Sequence, residues 1–158
     1  MAHSSLYTAT FSAVATTAAV DLFEIVAPSD SVVYIHEMTC GQYSDYGDAE
    51  AEGLSIVVYM DYSTSGSGGS TLTPVGLDAT EGRTAGSTVE SNNTTQASGG
   101  TPLKVAAGTW NVQGGFVQSL LLPAPIILKP SQRLVYAQSA PADSITMNGT
   151  LVFEERGF

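Results

Sequence analysis

The chain has 158 residues, 43% of them hydrophobic, with a formal net charge of −10 and a single cysteine. That length and apolar content suit one domain with a real core, and Cys40 on its own excludes an intrachain disulfide. Binding nucleic acid depends largely on Lys and Arg neutralising phosphates; here Arg83, Lys104, Lys129, Arg133 and Arg156 are scattered, so neither nucleic acid nor an anionic membrane surface is an expected partner.

The opening MAHSSLYTATF carries no basic residue and no long apolar run, so no secretory signal is expected. Uncharged apolar stretches such as Ala13 to Val20 fall far short of the roughly 20 residues of a membrane span. Residues 1–5 read as a flexible arm. From Leu6 the pattern becomes that of a strand, with Tyr7, Ala9, Phe11 and Ala13 on one face and Leu6, Thr8, Thr10 and Ser12 on the other. A short strand is expected from Leu22 to Val26. SVVYIHEMTC (31–40) carries apolar residues on both parities, which predicts a central strand covered on both sides.

His36 and Cys40 share strand parity and raise the question of a Cys–His pair. Four strand residues at about 3.3 Å each separate them by about 13 Å, too far for proton transfer or for a shared metal. The acidic run SDYGDAEAE (44–52) lacks the spacing of an EF-hand and reads as a solvated loop, with one helical turn at Asp48 to Glu52. GLSIVVYMDY alternates as a strand, with Leu54, Ile56, Val58 and Met60 on one face.

The alternation fails over 63–101. SGSGGS (65–70) has the composition of a flexible linker, and SNNTTQASGG (91–100) that of polar turns. The segment reads as a loop-rich excursion around one weak hairpin. GSGGST (66–71) lacks the lysine of a phosphate loop. Strands resume at Trp110 to Gly114 and Phe116 to Leu122.

PAPIILKPSQRLVYAQ (123–138) then sets Pro123, Pro125 and Pro130 around a short apolar run. Proline cannot donate to a sheet ladder, so the chain there must follow an edge or leave the sheet. Leu128 and Leu134 can sit in the core on either side, as in a chain crossing between two packed sheets. Arg133 to Gln138 reads as a strand. The last strand lies in SITMNGTLVFEE, with Ile145, Met147, Gly149, Leu151 and Phe153 on one face. About eight short strands separated by turn residues predict an all-β, antiparallel β-sandwich of one domain over 1–158, with a jelly roll as the leading arrangement.

GQYSDYGDAEAEGLSIVVYM, ESNNTTQASGG, TWNVQGGF, PIILKPSQRLVYAQSAP and NGTLVFEE, in this order, resemble a family of small proteins of tailed phages and prophages. Several of that family are capsid decoration, or cement, proteins with jelly-roll-like folds. The resemblance runs from Leu6 to Glu155 and rests on turns and strands, without a chemical signature. It implies a virion protein made in the bacterial host cytoplasm. Such a protein would sit as a homotrimer on the outer surface of the head, against the major capsid protein. The charge of −10 suits that surface, since packed DNA would repel an acidic lining.

No catalytic activity and no cofactor are expected, because two histidines are too few for a jelly-roll metalloenzyme. A basic arm of the kind that meets a genome is also lacking, which argues against a major shell subunit. The termini are the expected capsid contacts: His3, Ser4 and Ser5 in the arm, and Arg156 and Phe158 after the last strand. The alternative is a receptor- or carbohydrate-binding module of a phage head or tail fibre, with Tyr43, Asp45 and Tyr46 as its sugar contacts.

Overall fold

The computed structural model describes residues 4–44, 47, 52–78, 80, 82–114, 117–119 and 124–157. Among them run β1 (Ser4–Thr16), β2 (Val20–Val26), β3 (Ser31–Gln42), β4 (Gly53–Thr64), β5 (Ser70–Leu72), β6 (Val75–Gly76) and β7 (Thr88–Asn93). They continue with β8 (Ser98–Asn111), β9 (Val117–Ser119), β10 (Ile126–Leu128), β11 (Arg133–Gln138) and β12 (Ile145–Gly157). Two antiparallel sheets face each other, one ordered β10-β3-β12-β1-β6, with β9 also on β3, and one ordered β5-β7-β2-β11-β4-β8. Without the short β5, β6 and β7, and with β9 and β10 taken as one interrupted strand along β3, every connection but β4 to β8 crosses between the sheets. That is the jelly-roll order the strand count implied.

The proline corner has the expected role. β10 lies at a sheet edge, and after Pro130 the chain turns through Ser131 (φ 62°) into β11 of the opposite sheet. Leu128 and Leu134 are both fully buried on the two sides of the crossing. β12 also follows its pattern, with Ile145, Met147, Gly149, Leu151 and Phe153 all inward. At Gly149 a Cβ would collide with the Phe11 ring, which packs on Phe23 at a centroid distance of 5.1 Å. Leu54, Ile56 and Val58 of β4 complete the facing wall.

Bulges break the parity of three strands, because one extra residue reverses the side chains beyond it, and in β1 and β3 they overturn what alternation predicted. In β1 the register shifts between Phe11 and Val14, so Ala13 (φ 58°) is exposed. In β3 the shift leaves His36 without an opposite residue, since Val152 pairs with Glu37 and Phe153 with Ile35. Val33, Ile35, Met38 and Cys40 therefore all reach one core, and β3 is covered on one side only. His36 is exposed, whereas the Cys40 thiol lies 3.4 Å from the Tyr136 hydroxyl inside the sandwich. In β2 a bulge at Leu22 turns Leu22 and Phe23 both inward and places Asp21 and Glu24 on the outer face.

The segment 63–101 is a layer of structure, against the expectation of solvated loops. β7 pairs with β2 inside the sheet, with Ser91, Asn92 and Asn93 buried. The cause is the pair of carboxylates on β2, each 1% exposed. Glu24 forms an ion pair with Arg133 at 2.6 Å and accepts hydrogen bonds from Ser65 Oγ, Gly66 N (2.8 Å) and Asn93 Nδ2 (3.2 Å). Asp21 accepts from Ala97 N at 2.6 Å and from Gln96 Nε2 at 3.2 Å. The glycines of SGSGGS give close approach instead of flexibility: a Cβ on Gly66 would lie 2.7 Å from Thr95 O, and one on Gly69 would collide with Ser91 O.

Two further readings are corrected. β8 ends at Asn111, and residues 112–114 form a 3₁₀ turn in place of a strand, with Trp110 buried as a core residue. Ser4 and Ser5 belong to β1, opposite Arg156 and Glu155, so they are not part of an arm. Of the strand read at 116–122 only β9 is described, and Asp48 to Ala51 of the expected helical turn lie outside the described residues.

Removing Glu24 leaves the largely covered Arg133 guanidinium without its counter-ion, with only the Tyr62 carbonyl to accept from it, and leaves the buried Asn93 amide with Glu90 alone. Glu24→Ala is expected to cost about 3–5 kcal/mol in urea unfolding, the usual result of breaking a buried ion pair from one side. Gly69→Ala is expected to cost about 1–3 kcal/mol through overpacking, where a flexible linker would show no change.

Candidate partner-binding face

Strand alternation builds one polar cluster on the outer face of the first sheet. Ser4 and Leu6 on β1, Glu154 and Arg156 on β12, and Val32 and Tyr34 on β3 occupy facing registers there. Glu154 is the hub. Arg156 donates to it twice, from Nε to Oε1 at 2.7 Å and from Nη2 to Oε2 at 3.0 Å. His36 Nε2 lies 3.1 Å from Oε2, and the Ser4 hydroxyl donates to Oε1. The Arg156 guanidinium also sits 4.2 Å from the centre of the Tyr34 ring, within cation–π range. Fork-shaped pairing of this kind fixes geometry as well as charge. The Glu154 side chain is mostly covered, while those of Arg156 and His36 are 50% and 38% exposed and available to another molecule.

Apolar surface adjoins the cluster. Val75 faces Thr8 on β1, and Leu77 N donates to Leu6 O at 2.8 Å. Val75 and Leu77 are 63% and 53% exposed, and Leu6 is 39% exposed. Between the charged and apolar parts lies an open depression of ≈480 Å³, lined by Ser4, Leu6, His36, Asp78, Val152 and Glu154. A cluster of exposed apolar side chains rimmed by polar groups is the usual mark of a protein-binding surface. Both ends of the chain contribute, because β1 and β12 pair along their whole length.

Of the residues expected to touch a partner, Ser4 and Arg156 meet at this hub through Glu154, and Ser5 is buried beside them. His3 and Phe158 lie outside the described residues. Of the sugar set, Tyr43 is 45% exposed just past the end of β3, and Asp45 and Tyr46 lie outside the described residues. The sequence did hold a signal for the hub. Glu154 and Arg156 are two apart on one strand and so share a face. Nothing in it placed His36 beside them, since the β3 bulge decides that.

No family model matches the chain, and no curated protein matches it. Among solved structures, VP17, a capsid protein of bacteriophage P23-77, aligns over 99% of this chain and 96% of that chain at 10% identity, with a TM-score of 0.21. At that score the two backbones do not share a demonstrable fold, and the similarity supports neither the architecture nor the role of this chain.

The hub makes stability depend on pH. Hydrogen bonds from Arg156, and secondarily from Ser4 and His36, outweigh burial and hold the Glu154 carboxyl at about 2, below the ordinary 4.5. A carboxyl depressed in the folded state stabilises the fold above its unfolded value and loses that contribution as pH falls toward the folded one. Asp21 acts in the opposite sense, because burial raises it to about 6 from 3.8 despite the hydrogen bond from Ala97. Asp21 is expected to raise the unfolding free energy as pH drops from about 6 toward 3.8, and Glu154 to lower it as pH drops from 4.5 toward about 2, the two opposing each other where the windows overlap. Glu154→Gln should flatten the second limb and Asp21→Asn the first, as read by urea unfolding across that range.

Proposed function

We propose that this chain is a structural virion protein that decorates the outside of a phage head, contacting the major capsid protein through the outer face of the β10-β3-β12-β1-β6 sheet. The observation that carries the reading is the juxtaposition on that face of exposed Leu6, Val75 and Leu77 with the Ser4–Glu154–Arg156–His36 cluster. The apolar part supplies driving force on burial. The charged part supplies register, because Arg156 is held in place before any partner arrives. The formal charge of −10 keeps free copies apart in solution and disfavours a position against packed DNA. The sequence resemblance to phage decoration proteins points the same way.

The physical mechanism is linkage. A protein that binds only the assembled, expanded shell stabilises that shell relative to free subunits. Contacts of ordinary size, about 800 Å² per partner, suffice at each boundary between capsid subunits. Three copies around a threefold-type position would span several such boundaries at once, with the gain in avidity that linked sites bring.

In purified virions of the phage that encodes this chain, quantitative mass spectrometry is expected to find it at a copy number comparable with that of the shell subunits. Its absence from the particles would sink the proposal. Leu77→Asp combined with Val75→Asp is expected to lower occupancy on heads about tenfold or more, as loss of central anchors does. The melting temperature should stay near that of the parent protein, since both positions are exposed.

A further inference from the structure

The opposite sheet carries a second recess that the decoration role does not use. Its floor is made of small side chains where β2, β11 and β4 run together: Ala137 faces Val57 on one side and Asp21 on the other. Ser55 and Ser139 close one end, tied by bonds of 2.9 Å from Ser55 N to Ser139 Oγ and from Ser139 N to Ser55 O. Tyr59 and Tyr62 line the other end, with ring centres 5.5 Å apart and planes at 61°. Gln96 and Ala97 form the rim, held down by the buried Asp21 carboxylate. The recess measures ≈240 Å³.

We propose that this recess binds a single neutral sugar residue. Each competing class of ligand meets an obstacle there. A cation would compete with Lys104, whose ammonium already lies 5.8 Å from the centre of the Tyr59 ring. An anion would approach Asp21 with Glu24 close behind it, in a protein of net charge −10. An apolar ligand would strip water from the serine, glutamine and tyrosine polar groups of the lining and offer them no hydrogen bond in return.

A pyranose ring satisfies the lining. Its C–H face suits the tyrosines, and its hydroxyls suit the Ser55 and Ser139 hydroxyls and the Gln96 side-chain carbonyl. The volume falls below the roughly 300–1,000 Å³ of clefts for drug-sized ligands, which points to one sugar ring as the occupant. In this scheme Asp21 is a positioning residue. It is 1% exposed and acts by fixing the rim. A molecule docked through the first sheet would leave this recess on the opposite side, open to solvent.

The test is saturation-transfer NMR and calorimetry of the full chain with glucose, galactose, mannose, N-acetylglucosamine and N-acetylgalactosamine. Tetramethylammonium and inorganic phosphate serve as charged controls. At least one sugar is expected to bind, neither control should, and Tyr62→Ala should weaken binding about tenfold or more. Ala137→Leu, which fills the floor without removing a polar contact, should abolish binding, while Tyr43→Ala should leave it unchanged. Circular dichroism melts of each variant separate lost binding from lost folding. If no sugar binds, if either control binds as well as the sugars, or if folded Ala137→Leu binds as tightly as the parent, the proposal is overturned.

Discussion

Two carboxylates that cannot be left bare govern this molecule. The bulge in β2 turns Leu22 and Phe23 into the core together and so commits Asp21 and Glu24 to the outer face of the sheet. Burying an unpaired carboxylate costs several kcal/mol or more, so each must be met by donors or exposed to water. Here donors meet them. Arg133, Ser65, Gly66 and Asn93 converge on Glu24, and Gln96 and Ala97 on Asp21. The chain between β4 and β8 is drawn onto the sheet, adds β7 and then β5 beside β2, and is pinned again where Gly86 N and Ser87 N donate to Glu155.

That arrangement makes the two sides of the sandwich unequal. Over the second sheet the excursion covers much of β2 and leaves a small recess walled by Tyr59, Tyr62 and the Gln96 rim. Over the first sheet, among the described residues, it contributes β6 and the residues just after it, which leave Val75 and Leu77 standing beside Leu6. The same segment thus creates the apolar part of one surface and the rim of the other. Glu154 and the Tyr34 ring fix the direction of the Arg156 guanidinium; in the proposed role this order would lower the entropy lost on docking.

Much of the framework was legible from residue patterns. The alternation in β4 and β12 named the inward faces, and the prolines around Ile126–Leu128 marked an edge strand followed by a crossing between sheets. Those signals are local, since a side chain's face follows from its parity and a proline's lost donor from its own ring. What parity could not show was where parity breaks. Ala13, His36 and Leu22 sit at bulges that no residue type announces, and each bulge changed what a site could contain. His36, expected to share a face with Cys40, lies on the outer face instead, as a partner of Glu154.

The sequence by itself determined an all-β sandwich, its main strands, the core positions on the regular strands and the net charge of −10. Only the tertiary structure decided that SGSGGS and SNNTTQASGG are packed instead of loose, and which outer-face residues meet. The physical reason is that their composition is polar in either case. Whether a polar segment stays in water or folds down depends on buried groups far away in the chain that need its donors, here Asp21 and Glu24, and no local pattern records that need.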